Sequence, residues 1–140
     1  MIIEFFHPCI LPTATAQQRR HTKSGKTYMP LKVKMAEAMF MAIFERHAPP
    51  EPLHGAVRAR LLFTYPHTIK TAKKGFFVYK YTTPDMYNIE KLVWDAGTHC
   101  GYWKDDAQVA SKNVEKYYGD RPGIYFFATD EIKEGRKTLT

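Results

Sequence analysis

The sequence predicts one compact α/β domain, of the α+β kind, in which a mixed β-sheet packs against two main helices. Three observations predict it. The chain has 140 residues and is 44% hydrophobic, enough for one core and too short for two. Residues Gly55 to Tyr65 alternate with period two, placing Val57, Ala59, Leu61 and Phe63 on one face and Arg58, Arg60 and Leu62 on the other. Two further segments repeat apolar residues at helical spacing.

In chain order, Ile2 to His7 is apolar and aromatic, is bounded by Pro8 and Pro12, and reads as a first strand. Residues 13–30 are polar, basic and broken by Gly25 and Pro30, which predicts a long exposed, flexible loop. From Leu31 to about His47 a helix is expected, with Pro30 at its start and Met35, Met39, Ala42 and Ile43 at helical spacing. The four methionines Met29, Met35, Met39 and Met41 read as core packing, and Pro49, Pro50 and Pro52 end the helix. After the Gly55–Tyr65 strand comes a basic connector from Pro66 to Lys74, then a short strand over Phe76–Tyr81. A second helix is predicted from about Asp85 to Ala96, where Ile89, Leu92, Val93 and Ala96 form one apolar stripe. Gly97 and Gly101 mark a turn, Val109–Tyr118 and Gly123–Thr129 read as strands, and the polar tail from about 131 to 140 is expected to fray. The whole of 1–140 is read as a single domain.

Lysine and arginine total 21 against 14 acids, a net charge of +7 with pI near 9.4. Such an excess favours polyanion partners, because phosphate contacts release condensed counterions. The positive charge gathers in two stretches, Arg19, Arg20, Lys23 and Lys26, then Lys70, Lys73, Lys74 and Lys80. No apolar run approaches the ~20 residues that cross a bilayer, so no membrane partner is expected. The first residues carry no basic leader, and Cys9 and Cys100 stand in no CxxC pair. Both are read as reduced thiols in a cytoplasmic protein, Cys9 packed rather than reactive. His7 and His99 lack a partner histidine at zinc spacing, so no zinc site is assigned.

The chemistry gathers around the second helix. Asn88, Lys91 and Asp95 fall on a stripe beside the apolar one. Asp85 follows Pro84 at the helix start, where a carboxylate caps free amides. A second acidic group, Asp105-Asp106, precedes a strand. Adjacent like charges form a solvated turn or half of a metal site. Carboxylates converging from different elements suit a hard cation such as Mg²⁺, which polarises a phosphodiester and activates water. Lys91 suits the charge that develops on the phosphate. Tyr102 and Trp103 are candidates to stack on an unpaired base, with core packing the first reading for Trp103.

The run Asp85-Met-Tyr-Asn88-Ile-Glu-Lys91-Leu-Val-Trp-Asp95-Ala, followed by Gly101-Tyr-Trp-Lys-Asp105-Asp106-Ala-Gln108-Val109, resembles the RusA family of Holliday junction resolvases. That family's pattern is D-x-D-N-x-x-K-x-x-x-D-A, a short turn, then W-x-D-D-A-Q-V. The resemblance implies a symmetric homodimer, often encoded by phage or prophage, that cuts four-way DNA junctions with Mg²⁺ by paired nicks. By position, Asp85, Lys91 and Asp106 match the catalytic residues; Asp85, Asp106 and neighbouring Asp105 are the implied metal ligands. Asn88 and Asp95 are supporting. Arg19, Arg20, Lys23, Lys26, Lys70, Lys73 and Lys74 are expected to track DNA phosphates. Tyr87 stands where the family has its second aspartate, and a phenol of pKa near 10 is a poor Mg²⁺ ligand at neutral pH. Glu90 lies about 60° round the helix from Tyr87. Two readings therefore stay open, a nuclease and a junction-binding protein that cuts weakly or not at all. A general nucleic-acid binder is a third.

Overall fold

The sheet is built around the segment with the cleanest alternation. In the computed structural model, which describes residues 1–13, 20–21, 27–28, 31–133 and 135, strand β4 (Val57–Pro66) lies at its centre. The other strands are β1 (Ile2–Pro8), β5 (Phe77–Tyr79), β6 (Val109–Gly119) and β7 (Gly123–Thr129), in the order β1-β7-β4-β6-β5. All neighbours pair antiparallel except β4 and β6, which run parallel, so the sheet is mixed as expected. A parallel pair needs a crossover, and the chain between β4 and β6 supplies it with α2 (Ile69–Ala72), β5 and α3 (Met86–His99). The remaining helix, α1 (Leu31–Arg46), precedes β4. Within the predicted basic loop, β2 (Arg20–His21) pairs antiparallel with β3 (Thr27–Tyr28); residues 14–19, 22–26 and 29–30 of that loop, and 134 and 136–140 of the tail, lie outside the described residues.

One face of the sheet is dry. Val57, Ala59, Leu61 and Phe63 of β4 join Ile124, Phe126 and Ala128 of β7 in a core that α1 and α3 complete. From α3 come Ile89, Leu92, Val93 and Ala96, the predicted stripe, all buried. From α1 come Val33, Ala36, Phe40, Ile43 and Phe44. That stripe differs from the methionine-based one. Met35 is 62% exposed and Ala42 faces solvent, while Met39 and Met41 only flank the core. The aromatic pair Phe40 and Phe44 buries more area than thioethers do and sets the helix rotation. Met29 lies outside the described residues. Cys9 and Cys100 are free thiols, and burial pushes both pKa values up, away from the thiolate that reacts.

Helix α3 runs one turn further than its stripe predicts. Gly97 is helical, and Trp103 is the reason: a Cβ built there would stand 2.3 Å from the indole. The helix ends in a Schellman motif. Gly101 takes φ +81°, Tyr102 N–H donates to Gly97 C=O at 2.9 Å, and Gly101 N–H donates to Thr98 C=O at 3.4 Å. Tyr102 and Trp103 then enter the core at 0% and 1% exposure, so neither ring is available to a DNA base. The Tyr102 hydroxyl donates to Phe44 C=O at 2.7 Å.

Gly97→Ala tests this packing by sign. In a solvent-facing helix the change would stabilise by up to about 1 kcal/mol; here overpacking against Trp103 should cost about 1–3 kcal/mol, read as a lower urea midpoint.

Candidate active site

The predicted site residues fall into two clefts along α3. At its start, Asp85 is the N-cap, its Oδ1 accepting from Asn88 N–H at 3.2 Å. A cap satisfies one amide and leaves the second carboxylate oxygen open. The segment before it is fastened from the sheet: Lys116 Nζ donates to Thr82 C=O at 2.7 Å and to Pro84 C=O at 2.5 Å. Lys116 is 7% exposed. Burial and the nearby Lys80 lower its pKa, against the opposing pull of Asp85 and Tyr118. Asp85, Met86, Tyr87, Glu90, Lys112 and Val114 line this first cleft.

Glu90 is the residue that sequence reasoning placed least well. It is 5% exposed, yet it lines the cleft that holds Asp85 and is paired with Lys112. Lys112 Nζ also sits 5.9 Å from the Trp94 ring centroid. The side chain of Tyr87 is 69% exposed. A carboxylate therefore does stand near the position of the missing aspartate, one turn along the helix. The signal available in the sequence was position 112 on β6, but only the register of β6 against the core turns that lysine toward α3.

The second cleft lies towards the other end of α3 and is lined by Asp95, Thr98, His99, Lys104, Asp105 and Asp106, with Met41 across from them. A 3₁₀ turn, Asp106–Gln108, presents the acids. Its geometry explains the glutamine. Gln108 Oε1 accepts from Lys104 N–H at 2.9 Å and Asp105 N–H at 3.2 Å, and its Nε2 donates to Leu53 C=O at 3.2 Å and Gly55 C=O at 3.0 Å. Asp105 Oδ1 caps the turn by accepting from Ala107 N–H at 2.8 Å. Trp103 Nε1–H donates to Thr98 Oγ1 at 2.8 Å, tying the approach to α3. Burial raises the Asp106 pKa, and the charges of Asp105 and Asp95 raise it further. Among the described residues, none of Asp85, Asp95, Asp105 and Asp106 has a salt-bridge partner.

Asp85 and Asp106 are thus not brought together within the chain. Ten residues of helix separate Asp85 from Asp95, about 15 Å of rise, and Asp85 is not among the charges that act on Asp106. Asn88 is buried between the two ends, while Lys91 and Asp95 are exposed. Among the described residues no three His, Cys, Asp or Glu side chains could hold a metal as a group, so no closed cage exists of the kind a structural metal requires. Mg²⁺ needs less, one or two carboxylates with water and phosphate oxygens completing the octahedron. The oxygen-only Asp105–Asp106 pair, with Asp95 beside it, fits that requirement.

Of the predicted phosphate contacts, Lys70, Lys73 and Lys74 are exposed on and just after α2. Arg19, Lys23 and Lys26 lie outside the described residues, and Arg20 is described only as part of β2.

The pKa shift of Asp106 has a sign that can be checked. A carboxyl whose pKa is raised by the fold contributes stability that is complete below the ordinary carboxylate pKa and is lost as pH rises through the raised value. Asp106→Asn should therefore raise the thermal midpoint at neutral pH, with the gain disappearing on acidification below the ordinary aspartate range; melting curves across that window check it.

Residues 10–126 match the family model described as endodeoxyribonuclease RusA. A curated relative, the uncharacterized protein YqaN of Bacillus subtilis (strain 168), is 28% identical over 123 residues, covering 81% of this chain and 86% of the relative. The family match spans both clefts and most of the sheet, and on that match the chain belongs to the RusA endodeoxyribonuclease family.

Proposed function

We propose that the chain is a Mg²⁺-dependent endodeoxyribonuclease that resolves Holliday junctions in the cytoplasm, a homodimer whose two sites make paired symmetric nicks. Family membership implies endodeoxyribonuclease activity on branched DNA; the finer reading rests on one observation. In a chain of net charge +7, Asp95, Asp105 and Asp106 line one cleft, and the Asp106 pKa is raised first by burial and then by the charges of Asp105 and Asp95. Three acids in one cleft, none of them salt-bridged among the described residues although Lys104 lines the same cleft, favour binding a dication.

Asp105 and Asp106 would hold Mg²⁺, with Asp95 adding charge behind them. A bound Mg²⁺ supplies Lewis-acid polarisation of the phosphodiester and a water of lowered pKa. Lys91 lies between the clefts on the exposed side of α3, one turn before Asp95, and its ammonium neutralises charge on the bound phosphate. Asp85 holds its open oxygen at the helix N-terminus, in the cleft that Glu90 also lines, as a second acidic group that would meet DNA through a cation. Lys70, Lys73 and Lys74 contact flanking phosphates, and a two-fold dimer matches the two-fold symmetry of paired cuts.

The second reading, a junction-binding protein that does not cut, is favoured by the separation of Asp85 from Asp106 and by Tyr87. Cleavage of a synthetic four-way junction in Mg²⁺ decides between them. Asp106→Asn and Asp85→Asn should each lower nicking roughly a hundredfold or more, the size of a lost transition-state charge contact, with junction affinity retained. Nicking that persists unchanged in both would remove the site assignment. If the wild type binds junctions and never nicks them, restored cutting by Tyr87→Asp would identify that position as the cause.

A further inference from the structure

Tyr102 and Trp103 are buried, yet the molecule presents aromatic rings elsewhere. Of the ten exposed large hydrophobic side chains among the described residues, four fall within six positions: Phe76, Phe77, Tyr79 and Tyr81, at 77%, 71%, 66% and 88% exposure. They lie on and around β5, the edge strand. Edge strands with open apolar rows attract unwanted partners and are normally blunted. This one is kept open and built rigid.

Two of the four rings are held from β6. Tyr79 stacks on Tyr117 with centroids 5.0 Å apart and planes at 24°, and Phe77 meets the same ring at 5.6 Å. Glu115 accepts from the hydroxyls of both Tyr79 and Tyr117, and Arg60 stands 4.0 Å from that carboxylate. Around the edge, a cleft lined by Lys70, Lys74, Tyr79, Tyr81, Thr82 and Tyr118 contains no acid. Lys80 Nζ lies 4.8 Å from the Tyr118 centroid and 5.0 Å from that of Tyr65, and donates to Thr82 Oγ1 at 2.7 Å. The acid nearest in sequence to β6's end, Asp120, faces His67.

Exposed rings, two of them held in place, with the ammonium groups of Lys70 and Lys74 in the cleft that Tyr79 and Tyr81 line, complement a ligand that alternates π-faces with phosphates. We propose that the β5 edge is a stacking platform for unpaired bases of DNA, with Lys70 and Lys74 on the adjoining phosphates. This deepens the nuclease reading, since opening a branch point deprives its bases of a stacking neighbour, and it rests on that reading for the source of the DNA. A second copy of the chain covering the edge is the competing occupant.

Fluorescence anisotropy of the full chain in Ca²⁺, with labelled oligothymidine, a four-way junction and a blunt duplex, tests it without requiring cleavage. Tyr79→Ala/Tyr81→Ala should weaken oligothymidine and junction binding about tenfold per ring lost and leave the duplex unchanged. Tyr81→Ala alone removes a ring that is 88% exposed, keeps the fold, and should show the single-ring loss; Tyr81→Trp should restore it. Lys70→Ala should weaken all three DNAs and reduce the salt slope by about 0.7–0.9. Equal loss on all three DNAs in the ring variants, no loss on any, or a wild-type dimer that the variants convert to monomer in sedimentation would each overturn the platform. Failure to nick a junction that is still bound with ring dependence would count against the nuclease reading alone.

Discussion

The seating of Trp103 against the bare backbone of Gly97 holds the acidic half of the candidate site in place. The indole is 1% exposed and contacts Trp94, Tyr102 and Phe126. Because Lys104, Asp105 and Asp106 follow it directly, the position of that ring fixes where the acids emerge. Gln108 fixes the other end by binding the carbonyls of Leu53 and Gly55 before β4. Between these anchors the like charges of Asp105 and Asp106 are held together, facing Asp95 of α3 across the same cleft. Charges of one sign on a free turn drift apart; here drifting would require pulling an indole out of the core. The core therefore carries the cost of the cluster, which is the usual relation between a reactive site and its scaffold.

The same helix explains why the two acidic groups do not merge. An α-helix is a rigid rod, and Asp85 and Asp95 are carried at opposite ends of ten residues of it. No side-chain rotamer closes about 15 Å. What α3 provides is two separated acidic ends, Asp85 and Glu90 at its start and Asp95 towards its end, with Lys91 exposed between them. The ion pair between Glu90 and Lys112 belongs to the first end. It places one acid of the first cleft against a cation, whereas the acids of the second cleft have none among the described residues. The difference is a physical reason why the proposed metal site is sought in the second cleft rather than the first.

Periodicity made much of this legible. The alternation of β4 and the stripe Ile89, Leu92, Val93 and Ala96 appear in the sequence because burial on one face leaves no freedom at those positions. The acidic blocks were legible through spacing. What stayed hidden depends on contacts distant in sequence. Met35 points outward because Phe40 and Phe44 claim the core side of α1. The last turn of α3 survives its glycine because Trp103 lies over it. Glu90 and Lys116 are buried charges whose partners, Lys112 on one hand and the carbonyls of Thr82 and Pro84 on the other, are set by the register of β6. A single sequence shows that a lysine is in a strand, but not which helix end it faces.

That register also links the aromatic edge to the helix start. Thr82 is gripped twice: its hydroxyl by Lys80 from the β5 side, its carbonyl by Lys116 from β6. Three residues later the chain reaches Asp85, after a second grip on Pro84. The segment from Tyr81 to Asp85 is thus a short strap pinned by two ammonium groups, one of them buried with a lowered pKa. Any ligand that displaces Lys80 toward a phosphate loosens the first pin, while Lys116, enclosed at 7% exposure, keeps the second. A base stacked on Tyr81 would then lie within a few residues of chain from the capping carboxylate, at about 3.3 Å for each residue of extended strap. The sheet edge and the helix N-terminus are therefore joined by one pinned strap, and β6 supplies its buried pin.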